Sequence, residues 1–84
     1  MSHAIALAEA GAPQQARAAL EALLPGVPDA LRPHAHAALS HALLRLNERA
    51  ASRSHLMAAI EHARNDADRR LLQRRLAEQF ADQA

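Results

Sequence analysis

Helix-breaking residues interrupt this chain at four places, and nearly everything between them favours helix. The breakers are Gly11 with Pro13, the run "PGVPD" from Pro25 to Asp29, Asn47, and the pair Asn65-Asp66. Glycine, and after it asparagine, takes the left-handed conformation that ends a helix at least cost, while proline cannot continue one. The segments they bound hold very little that a sheet could use. Val27, Ile5 and Ile60 are the only β-branched aliphatics and Phe80 the only aromatic, against 23 alanines and 13 leucines. A pleated surface needs branched and aromatic side chains to pack well. The expected class is all-α, as one domain over residues 1–84.

Five helices follow from the punctuation. The first runs from about Ser2, a plausible N-cap, to Ala10, with Gly11 just past its end. Pro13 opens the second, where its missing N–H does no harm, and it continues to about Leu24. A short turn over Asp29–Arg32 leads to a third helix from Pro33 to Leu46. The fourth spans about Glu48 to Arg64. Asp66 is expected to cap the fifth, which reaches roughly Asp82.

Two of the interruptions superimpose. Placing Gly11 on Asn47, an offset of 36 positions from 11 to 47, sets Ala16 on Ser52, Leu20 on Leu56, Leu23 on Ala59 and Leu24 on Ile60. Small residues meet small ones and leucines meet aliphatics. A period in the thirties with two helices per unit marks a solenoid of helical hairpins. Hairpin 1 would cover about 2–24, hairpin 2 about 33–64, and a capping helix about 66–82. That last helix carries Leu72, Leu76 and Phe80 on one stripe, with Arg70 and Arg74 on the far side.

These residues resemble the tetratricopeptide repeat (TPR). Leu39-Ser40, Asn47, Ser52, Leu56 and Ala59-Ile60 fill its pattern of bulky, small and turn positions. His36 stands where the repeat has an aromatic residue, Arg64 where it has proline, and the linker is two residues longer. The resemblance implies a concave groove lined in the second unit by His34, Ala37, Ala38, His41 and Arg45. The Lys and Asn residues that clamp a peptide carboxylate in chaperone-binding repeats are absent. A helix or an acidic segment is the expected occupant.

A second likeness lies in the running text. Leu43-Leu44-Arg45-Leu46 and the stretch from Asn65 to Glu78, "NDADRRLLQRRLAE", are similar to the C-terminal helical extension of extracytoplasmic-function RNA polymerase sigma factors. Asn47 replaces a Gly of that group and Ser52 an Ala. The likeness implies a bacterial, cytoplasmic, transcription-regulating tail that contacts the sigma-factor core domains or RNA polymerase. It would not read a promoter itself, because no helix-turn-helix is recognisable. A free-standing scaffold or small homodimer unrelated to transcription is the alternative.

Catalysis is not expected. With no cysteine and only Gly11 and Gly26 as glycines, the chain has no thiol nucleophile and no glycine-rich phosphate loop. His34 and His36 lie about 200° apart around a helix and cannot chelate one ion together. His34 with His41, and His55 with His62, are two turns apart. The six histidines therefore read as half-exposed helix residues, with no metal or other cofactor expected. The formal charge of +1 argues against a polyanion-binding surface. Arg69, Arg70, Arg74 and Arg75 spread around their helix, where Asp66 and Glu78 can pair with Arg70 and Arg74 at i, i+4. Arg70 and Arg74 are the candidates for phosphate contact, but a solvated, ion-paired face is the stronger expectation, and no apolar run suggests membrane insertion.

Overall fold

A computed structural model describes residues 12–81. Among these residues there is no strand, and the fold is all-helical. Four α-helices follow in order: α1 (Pro13–Leu23), α2 (Arg32–Arg45), α3 (Arg49–Glu61) and α4 (Asp66–Gln79). The expected helix over Ser2–Ala10 lies outside the described residues. Between α1 and α2, "PGVPD" and its neighbours form two short 3-10 turns, Leu24–Gly26 and Asp29–Leu31. Arg32 ties this linker down by donating from Nη2 to the Val27 carbonyl at 2.9 Å.

Each helix runs antiparallel to the next. Ala16 meets Ala42, and Leu20 packs with Leu39 and Leu43, between α1 and α2. Ser40 touches Ser52 and His36 touches His55 between α2 and α3. The start of α3 meets the end of α4, where the Arg49 guanidinium lies 5.3 Å over the Phe80 ring. The most extensive contact is between α2 and α3. The molecule measures 29 × 28 × 19 Å, and its thinnest dimension equals about two helix diameters of roughly 10 Å each.

Asn47 performs the part its side chain suited it for. It sits at φ 62°, the left-handed region. The Glu48 N–H donates to the Leu43 carbonyl at 2.9 Å and the Asn47 N–H to the Leu44 carbonyl at 3.1 Å. This pair of bonds satisfies carbonyls that a helix end leaves without partners. The fourth breaker works differently from its expected form. Asn65, not Asp66, is the N-cap of α4, and its side chain accepts from the Asp68 N–H at 2.8 Å. Asp66 is the first helical residue, and its carboxylate pairs with Arg69 at 2.9 Å rather than with Arg70. Arg70 instead donates from Nε to the Asp66 carbonyl at 3.3 Å.

The helix starts repeat with close fidelity. α1 begins at Pro13 and α3 at Arg49, both 36 apart. Their N-caps adopt the same backbone, φ −108°, ψ 64° at Ala12 and φ −91°, ψ 68° at Glu48. α2 and α4 are both 14 residues long and start 34 apart, at Arg32 and Asp66. The two extra positions fall in the linker between α1 and α2.

The core divides along the seams. Leu20, Leu39 and Leu43 form one cluster, and Leu56, Ala59, Ala63, Leu72 and Phe80 another. Ile60 and Leu76 pack against the second cluster while half-buried. The superposition fails at one position: Leu23 is 45% exposed whereas its counterpart Ala59 is fully buried. Ala59 faces Leu72 and Phe80 of the next helix. At Leu23 the chain leaves α1 for a 3-10 turn.

Candidate functional site

A groove of about 580 Å³ runs between α2 and α4. The α2 wall is Pro33, His34, Ala37, Ala38 and His41. These positions recur at three- and four-residue spacing, which aligns them on one face of a helix. The α4 wall is Asp68, Leu71, Leu72, Arg75 and Gln79, one stripe of the same kind. Four of the five groove residues expected from the sequence, His34, Ala37, Ala38 and His41, thus lie together. Arg45 does not line the groove; it is exposed in the last turn of α2, beyond His41.

Two alanines side by side give α2 a low wall, and the opposite wall presents Leu71, which is 53% exposed. His34 and His41 stand exposed at the two ends of the α2 stripe. Arg75 of α4 adds a cation and Asp68 an anion. The surface is therefore apolar along its middle, with polar edges that hold one cation, one anion and two histidines. Such a surface can bury the apolar stripe of a helix and meet acidic side chains along its margins.

The arginines of α4 do not form one patch. Arg69 is engaged by Asp66 and by the Ala63 carbonyl, to which its Nη2 donates at 3.4 Å. Arg75 turns into the groove, while Arg70 and Arg74 are exposed elsewhere on the helix. Thirty-four positions earlier, Arg70 and Arg74 correspond to His36 and Ser40, the residues through which α2 faces α3. Gln73 and Ala77, both exposed, correspond likewise to the buried Leu39 and Leu43. The face of α4 that would meet a following helix is thus polar or small.

The histidines are not all half-exposed helix residues, and this corrects the sequence reading. His36 is only 8% exposed. Its Nδ1 lies 3.0 Å from the Nδ1 of His55, in hydrogen-bond contact, and its ring stacks on His55 and His62 at centroid distances of 5.3 and 5.8 Å. Burial first, then the nearby His55, His62 and Arg32, hold the His36 pKa below 6.5. Burial also lowers that of His55, against an opposing pull from Glu21. Rings lying nearly parallel, at 7° for His36 and His62, do not aim their lone pairs at one point. Among the described residues no three His, Cys, Asp or Glu side chains are grouped to hold a metal ion. Sequence spacing within one helix could not show this cluster, because it forms across two. The signal was present in the turn: His36 and His55 stand at nearly equal distances on either side of Leu46, as do Ser40 and Ser52.

The class these features define is an all-helical stack with a groove between alternate helices. Known protein families, curated proteins and solved structures contain no match to the chain. No helix among the described residues is long and apolar enough to cross a membrane.

Proposed function

We propose that this chain is a non-catalytic protein-interaction module of TPR-like build, acting in the bacterial cytoplasm as the regulatory C-terminal domain of a sigma factor. In this reading α1 closes a first hairpin with the segment Ser2–Ala10, α2 and α3 are the second, and α4 is the cap of a five-helix array. The repeated N-cap geometry at Ala12 and Glu48, and the equal lengths of α2 and α4, support a repeat. The polar face of α4 supports its role as a terminal helix. Sigma-factor kinship rests on the likeness of Leu43–Leu46 and Asn65–Glu78 alone.

The observation that carries the interaction reading is the groove, whose α2 wall is the set His34, Ala37, Ala38 and His41. The partner is an amphipathic helix with acidic flanks, supplied by the sigma-factor core domains or by RNA polymerase. His41→Glu combined with Arg75→Glu places a new carboxylate on each wall and removes the cation of the α4 wall. The expected outcome is at least tenfold weaker capture of the sigma core domains or polymerase, with helicity by circular dichroism unchanged. Undiminished capture by this folded double variant would move the site off the groove.

A further inference from the structure

The seam between α2 and α3 contains two polar pairs of opposite character, one turn apart. In the first, the Ser52 hydroxyl donates to the Ser40 carbonyl at 2.7 Å, so its oxygen is left to accept from the Ser40 hydroxyl at 3.0 Å. That arrangement is complete and does not titrate near neutral pH. In the second, His36 and His55 meet Nδ1 to Nδ1 at 3.0 Å. One hydrogen must lie between those two nitrogens. With both rings neutral, one is therefore the Nδ1–H tautomer and the other keeps its proton on Nε2.

Protons act on this pair in two steps. The first can be accommodated with the hydrogen bond intact, as an imidazolium donating to an imidazole. It leaves a positive charge in the seam, however, beside a His36 ring that is 8% exposed. The charged and titratable groups facing the pair are Arg32 of α2, His62 at the end of α3 and Glu21 of α1. Glu21 alone among them opposes the charge. The second proton removes the only acceptor, so two N–H donors point at each other and the bond is gone.

We propose that the His36–His55 pair is an acid-sensitive latch that holds α2 against α3 when neutral and releases it on protonation. The helix that carries His36 on one side carries His34, Ala37, Ala38 and His41 of the groove on the other. The sign follows from linkage. Both rings are harder to protonate in the fold than in the unfolded chain, where the ordinary value is 6.5. Between that value and the lowered native values the unfolded chain binds more protons than the native one, so stability is full above 6.5 and is lost progressively as the pH falls through the native values.

Urea unfolding at about pH 7.5 and about pH 5.5 brackets the ordinary histidine range. The midpoint of the unaltered protein is expected to fall on acidification. His34→Gln with His41→Gln, which removes two exposed histidines, should keep that fall, and His36→Phe, which keeps a stacking ring without a titrating one, should lose at least half of it. Should His36→Phe not fold, nitrogen-15 NMR of the imidazoles in the unaltered protein decides. One ring of the pair must carry its proton on Nδ1 at neutral pH, and both must titrate below 6.5. A midpoint indifferent to pH, an equal fall in His36→Phe, or two Nε2–H tautomers would overturn the latch.

Discussion

Asn47 is the residue on which the α2–α3 hairpin turns, and its φ of 62° makes it sensitive to a change of side chain. Asn47→Ala should cost about 1 kcal/mol, because a Cβ without a polar group to compensate resists the left-handed region. Asn47→Gly should be neutral or slightly stabilising. Urea denaturation of the two variants separates them; equal losses would mean that the turn is held by the seam and not by its own backbone. Asn65→Ala should likewise cost about 1 kcal/mol, by leaving the Asp68 N–H without its side-chain acceptor. The position of the turn at Asn47 was legible because only Gly and Asn take such a conformation readily. The choice of Asn65 over Asp66 as cap was not. Both residue types can cap, and the decision lay in the extended backbone of Asn65, φ −148° and ψ 165°.

Helix by helix, the leucine stripes were readable and the partnerships between stripes were not. Leu20, Leu39, Leu43, Leu56 and Leu72 are buried, and Ile60 and Leu76 lie half-buried beside them. Leu43→Ala and Leu56→Ala should each destabilise the protein by about 2–4 kcal/mol, the cost of lost transfer energy plus a cavity. Chemical denaturation showing a loss below about 0.5 kcal/mol for both would contradict the seams described above. Periodicity places residues on a face, so it gathered His34, Ala37, Ala38 and His41. It cannot say which face of another helix lies opposite. Arg75 was therefore read as part of an ion-paired surface, whereas it lines the groove. Arg45, two residues from the helix turn, was placed in the groove by the family pattern, and the groove ends before it.

At the scale of the whole molecule, the main contacts join helices adjacent in sequence. Stability should therefore be graded along the stack. Amide hydrogen exchange is expected to be slowest in α2 and α3, which share the largest seam, and faster in α4, whose main contact among the described residues is with α3. Uniform protection across all four helices would instead indicate a single cooperative core. The outer side of α4 also decides how far such a stack can grow. Arg70, Gln73, Arg74 and Ala77 stand where α2 has His36, Leu39, Ser40 and Leu43. Exchanging the first set for the second would give α4 the side chains with which α2 meets α3. Molecules so altered should carry a more apolar outer face on α4 and self-associate as their concentration rises, so four side chains are what keep that face from becoming adhesive.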